Sequence, residues 1–229
     1  MARNFDGIDD HLEVGDVPAL RFLGGSADKM SISVWVKIAS KTAEKKVVAK
    51  WEDEPDETQR SYLLTIDTGD NDTPRFAVTN ASGTVAITSA TTNMVIGTWH
   101  HLAGTYDGAN VRIYVDGLEE GSAALTGAIK STTAVVRVGS GSGGPTVENP
   151  MHGDIGHLAA WDVALSPGEV QTLATGLSPL RINRANLTFY GPINGQSPGL
   201  DVVGSLPLTV TGTTVSEEPP IPNSIVCPG

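Results

Sequence analysis

The chain has 229 residues, 39% of them apolar, which supports a substantial core and excludes a disordered polymer. A net charge of −11 and a pI near 4.7 argue against nucleic acid as the main partner, because phosphate binding needs clustered Lys and Arg. Its 26 Gly and 14 Pro, with many Ser and Thr, favour numerous strands and turns over long helices.

The opening, residues 1–7, has no apolar signal core, and no run of about 18 apolar residues follows. Neither a secretory leader nor a membrane span is therefore expected. Leu12 and Val14 start the strand candidates. Ile32, Val34, Val36 and Ile38 alternate with Ser31, Ser33, Trp35 and Lys37, the period of a strand with one face in the core. Residues 47–51 and 62–66 read as strands around an acidic insert, Glu52 to Glu57, broken by Pro55. Residues 76–78 and 85–87 flank a hairpin loop.

Residues 99–117 carry the most information. Two alternating runs surround Asp107-Gly108-Ala109-Asn110, and Asp116-Gly117 offers a second reversal. Val111, Ile113 and Val115 share one strand face, with Arg112 and Tyr114 on the other. Serial antiparallel hairpins of this kind indicate an all-β sandwich. Strands at 135–138 and 155–161 follow, separated by a Gly-rich loop, 139–151, that is expected to be mobile.

One short helix is signalled near 166–175. Ser166-Pro167-Gly168-Glu169 forms a capping box, Val170 and Leu173 make an apolar stripe, and Gly176 stands at the C-terminal stop. A further strand is expected at 187–190 and a weaker one within 206–215. The resulting division is one sandwich over residues 1–215 and a Pro-rich tail, 216–229, on the surface or reaching a neighbour. Cys227 is the single cysteine, so no intrachain disulfide forms; it is a free thiol or an interchain bond.

Four segments together resemble the laminin G-like branch of the concanavalin A-like lectin/glucanase superfamily. They are residues 5–12 (Phe5-Asp6-Gly7 onward), residues 31–37 around Trp35, residues 99–117, and Gly153-Asp154-Ile155 leading to the capping box. The resemblance implies a jelly-roll sandwich of two antiparallel sheets, with residues 187–193 completing a sheet. It also implies a structural calcium held by Asp6 and Asp154 with the Gly7 carbonyl, since hard cations take oxygen ligands from separate loops. The alternative is that Asp6 shapes the opening turn and Asp154 bonds backbone amides.

The superfamily includes glycoside hydrolases, whose retaining members need two carboxyl groups about 5 Å apart. The acidic run here lacks their Glu-x-Asp-x-x-Glu spacing, so no catalytic residue is assigned. His100 and His101 point to opposite strand faces, and His152 and His157 complete no zinc set; core or rim positions are expected for them. For sugar binding, Trp51 and Tyr62 are the aromatic platform, with Asp53 and Arg60 beside them; the alternative is that Trp51 covers the sandwich rim. Trp35, Trp99 and Trp161 are assigned to packing.

The expected role is a non-catalytic, lectin-like structural protein of a bacteriophage particle, placed on the virion surface. Its partners would be other virion proteins or cell-surface glycans, without nucleic acid or membrane, and a homo-oligomer is allowed. The alternatives are a bacterial extracellular carbohydrate-binding or adhesion module and a divergent glycoside hydrolase.

Overall fold

The computed structural model describes residues 2–22, 28–53, 57–69, 72–141, 147–193, 199–204 and 206–220. Cys227, the rest of the tail beyond 220 and the centre of the Gly-rich loop lie outside them. The fold is all-β, as expected. In chain order the strands are β1 (Ala2–Asp6), β2 (His11–Gly15), β3 (Met30–Ile38), β4 (Lys45–Lys50), β5 (Tyr62–Asp67) and β6 (Thr73–Thr79). Then come β7 (Val85–Ser89), β8 (Trp99–Tyr106), β9 (Asn110–Val115), β10 (Leu118–Ala124), β11 (Val136–Val138) and β12 (His152–Trp161). Helix α1 (Pro167–Ala174) precedes β13 (Leu187–Gly191), β14 (Gly199–Leu200), β15 (Pro207–Thr211) and β16 (Thr214–Ser216). No helix among the described residues is long and apolar enough to cross a membrane.

The strands make two antiparallel sheets. The first runs β10-β9-β8-β3-β12-β1-β16, with β13 also paired to β12; the second runs β14-β15-β2-β11-β4-β5-β6-β7. Strand alternation decides which side chains meet between them. Ile32, Val34, Val36, Ile38, Val111, Ile113 and Val115 enter the shared core with Leu64, Phe76 and Val138. Each such side chain contributes about 1.5–3 kcal/mol by leaving water.

Local chemistry sets the turns. The Asp107 carboxylate accepts the Ala109 and Asn110 amides at 2.8 and 2.7 Å, closing the β8–β9 hairpin. Asp116 and Gly117 both take positive φ, 49° and 86°, as a two-residue hairpin of primed type requires. A side chain at Gly117 would also meet Gln171 Cα at 2.9 Å, so the turn lies directly against α1.

Helix α1 has the complete capping box, with Ser166 and Glu169 bonding each other's backbone amides. Val170 and Leu173 are buried with Trp161, Leu165 and Tyr190 in a second apolar cluster on the outer face of the first sheet. Ser31 ties the chain leading to α1 onto β3: its hydroxyl donates to the Val163 carbonyl and accepts the Leu165 amide, each at 2.8 Å.

Strands β1 and β13 lie end to end along one edge of β12, pairing with 152–155 and 158–161 respectively, while β3 takes the other edge. Residues 206–216 supply strands to both sheets, β15 beside β2 and β16 beside β1. The chain then runs over the first sheet, with Pro219 buried against it.

Candidate functional site

The outer face of the first sheet carries a pocket of about 100 Å³ beside the C-terminal end of α1. Its floor follows from register. Ser33 and Trp35 alternate with the core-facing residues of β3, so both point outward. The pairing of β12 with β3 shifts between Gly156 and Ala159, and His157 sits in that bulge with φ 51°. The bulge lies where β1 hands over to β13, and it turns the imidazole toward Tyr190. Nδ1 of His157 is 2.8 Å from the Tyr190 hydroxyl, and the two rings stack at 6.1 Å.

The walls come from elsewhere. Leu173 and Gly176 end the helix, Leu177 and Ser178 continue from it, and Glu218 reaches in from the tail. His157 Nε2 is buried without a hydrogen-bond partner, 3.7 Å from Glu218 Oε1. Burial lowers the His157 pKa, with Glu218 opposing, so the ring is neutral at pH 7. Burial pushes the Tyr190 hydroxyl up to about 12, keeping it a phenol. Two aromatic walls, a neutral imidazole, serine hydroxyls and one carboxylate make a site that can hold a polyol.

Beneath Trp35 lies His101, whose Nε2 is 2.8 Å from Ser33 Oγ and whose ring is 5.5 Å from the indole. The pair has the appearance of a nucleophile and its base. Burial, however, presses the His101 pKa to about 4, with Asp116 only partly opposing, and a base that weak does not activate a serine at neutral pH.

Three of the four residues predicted to bind a ligand do come together, on the other sheet. The Trp51 indole N–H donates to Asp53 at 2.9 Å, Arg60 bonds Asp53 at 3.2 Å, and the Arg60 guanidinium lies 5.3 Å over the Trp51 ring. Lys46, which the sequence did not single out, joins Asp53 to Glu148. Burial raises the Asp53 pKa, but Lys46, Trp51 and Arg60 outweigh it and hold the carboxyl below its ordinary value. Trp51, 5% exposed where Trp35 is 8%, packs on Ala49, Leu63 and Ala77 with the Arg60 guanidinium over its ring, and that cover rather than its exposure separates it from Trp35. Tyr62 is a plain correction. It lies on the opposite face of β5 from Leu63, 1% exposed in the main core, donating to the Leu20 carbonyl at 3.0 Å and meeting Phe22 edge-on.

Of the predicted metal pair, Asp6 lies opposite His152 and Asp154 opposite Asn4, diagonal positions of the β1–β12 ladder. Asp154 is held by the Lys37 ammonium at 2.7 Å and the Asn4 amide at 2.9 Å. The Asp154 carboxylate is thus already engaged by one ammonium and one amide. Asp6 accepts the Ile8 amide at 2.8 Å, shaping the opening turn, and gathers with Asp9 and Asp10 within 4.8 Å. Gly7 packs on His152 at the same turn.

The pocket residues were read differently from sequence: Trp35 as packing, His157 as core or rim, Tyr190 as a strand residue and Glu218 as tail. Only Trp35 carried a usable signal, since it shares its strand face with Ser33 and Lys37 rather than with the valines.

Similarity to known proteins agrees with this architecture. A presumed carbohydrate-binding protein of Bacteroides ovatus superposes with a TM-score of 0.70 at 18% identity, over 94% of this chain and 59% of its own. This chain thus spans somewhat over half the length of that relative. A heptameric pentraxin of Limulus polyphemus gives 0.61 at 14% identity, over 94% of both chains. A domain of a Ruminococcus gnavus sialidase, determined with α2,3-sialyllactose, gives 0.55 at 17% identity, over 76% of this chain and 98% of its own. No curated protein sequence matches the chain. A laminin G family model described as concanavalin A-like lectin/glucanases matches residues 6–171, well over half of the sequence. The chain therefore belongs to the concanavalin A-like lectin/glucanase superfamily.

Proposed function

We propose that this protein is a carbohydrate-binding module that holds a glycan and does not cleave it. The observation that carries this reading is the pocket of Trp35, His157, Tyr190, Ser178 and Glu218 at the end of α1. Sugars combine apolar C–H faces with hydroxyl rims, and small-molecule sites meet them with apolar walls and a few convergent polar groups. Trp35 and Leu177 face the C–H surface; His157 Nε2, Ser178 and Glu218 take the hydroxyls. The Ruminococcus gnavus domain bound to sialyllactose and the Bacteroides ovatus protein, presumed to bind carbohydrate, support the same use of the fold.

The chemistry at hand supports binding without cleavage. Most glycoside hydrolases flank the scissile bond with two carboxyl groups, about 5–9 Å apart. Among the described residues lining the pocket, Glu218 is the one carboxylate. The Ser33–His101 pair lacks a base of useful strength.

A glycan array probed with the intact chain tests this directly, beside Trp35→Ala and Trp51→Ala variants checked for folding by circular dichroism. Binding that survives Trp51→Ala and disappears in folded Trp35→Ala supports the pocket. Absence of binding to every glycan by the folded wild type overturns it. Where the module is displayed, on a virus particle or a cell surface, is decided by its presence or absence in purified particles.

A further inference from the structure

Resting on the glycan reading, we infer that the pocket receives the acetamido arm of an N-acetylated sugar, while the sugar ring itself stays at the mouth. Size carries the inference first. An apolar cavity of about 150 Å³ takes up benzene, a ring of six carbons. At about 100 Å³ the pocket has room for about four heavy atoms on that scale. A pyranose with its hydroxyls exceeds that. The nitrogen, carbonyl and methyl of an acetamido group match it.

The lining is layered in a way that suits an acyl group. Ser33, Trp35, Leu173, Pro179 and Tyr190 are buried, whereas Leu177, Ser178 and His157 are half-buried toward the mouth. Trp35, Leu173 and Pro179 make most of the deep surface carbon. The polar atoms at that depth are already engaged, the Ser33 hydroxyl with His101 and the Tyr190 hydroxyl with His157, each at 2.8 Å. A sugar hydroxyl pushed to this depth would leave water without gaining a partner, whereas a methyl gains by leaving it. One polar atom at the side is left over. With the Tyr190 hydroxyl donating to Nδ1, the neutral His157 ring carries its proton on Nε2, which has no hydrogen-bond partner among the described residues. That N–H donates to an acyl carbonyl when the methyl rests on Trp35 and Leu173, and the sugar ring then lies beside Leu177 and Ser178.

The glycan array gives the first test: every binder should contain an N-acetylated residue, and a binder that contains none overturns the inference. The tightest binder is then compared with two matched forms of the same glycan, one with hydroxyl in place of acetamido and one with N-butanoyl in place of N-acetyl. Dissociation constants are measured at pH 7 by ligand-observed NMR on the full chain. The hydroxyl form should bind at least about tenfold more weakly, since one buried methyl and one hydrogen bond are each worth about four- to fivefold. The N-butanoyl form should also lose about tenfold, because a filled site does not take extra methylenes. Equal binding of the acetamido and hydroxyl forms, or of the acetyl and butanoyl forms, overturns the acyl pocket while leaving the glycan reading standing. If the folded chain binds no glycan on the array, both fall.

Discussion

The Ser33 hydroxyl and His101 Nε2 stand 2.8 Å apart on neighbouring strands, beneath the indole that floors the pocket. Burial holds the His101 pKa at about 4, against an ordinary value of 6.5. Between those values the unfolded chain binds a proton that the folded chain refuses, so stability is full above pH 6.5 and falls as pH drops toward 4. The complete shift corresponds to about 3 kcal/mol. Urea unfolding at pH 7 and pH 5 should show about 2 kcal/mol of this loss, and His101→Gln should flatten most of it, leaving a residual slope from His157. An unchanged slope in His101→Gln would contradict the assignment.

Gly104 faces the core from β8, where an added methyl would meet the Phe76 ring at 2.4 Å. Gly104→Ala should therefore overpack the contact between the sheets and cost about 1–3 kcal/mol. Adding Phe76→Leu should recover part of this, making the pair non-additive in chemical denaturation. Additive losses would mean that the two residues do not share the space.

Ser166 caps the helix that walls the pocket. Ser166→Ala should cost about 1 kcal/mol, and amide exchange should quicken across 167–174 more than across β3. Equal effects on both segments would show that the cap does not act locally.

Asp154 joins β12 to β3 through Lys37 and to β1 through Asn4. Asp154→Ala should lower stability by about 1.5–3 kcal/mol, because it removes charge-assisted bonds and strands a half-buried ammonium. The loss should be the same with and without calcium in thermal melts. A calcium-dependent rise in the wild-type melting temperature that vanishes in this variant would restore the metal assignment.

What sequence revealed, and what it concealed, follows from the range of the interactions. The β8–β9 hairpin depends on Asp107 bonding two amides within three residues, and the helix start on Ser166 and Glu169 three apart; such contacts are written in consecutive letters. Trp51 and Tyr62 looked like neighbours because they end and begin adjacent strands. The period of two places Tyr62 with Leu64 in the core and Trp51 with Leu63 outside, a distinction that depends on which face is buried. Asp6 and Asp154 were paired by family likeness, but the β1–β12 register set Asn4 opposite Asp154 instead. The pocket was the least legible feature. It joins β3, the β12 bulge, the end of α1, β13 and the tail, and no local pattern announces that Trp35 and Glu218, 183 positions apart in sequence, line one pocket.

The most direct test of the central claim is to follow the four tryptophan indole N–H signals by two-dimensional NMR while a glycan identified on the array is added. The account predicts that the Trp35 signal shifts in a saturable way while the Trp51 signal, locked to Asp53 under Arg60, stays in place. Movement of Trp51 with Trp35 unmoved would transfer binding to the opposite sheet and contradict the account.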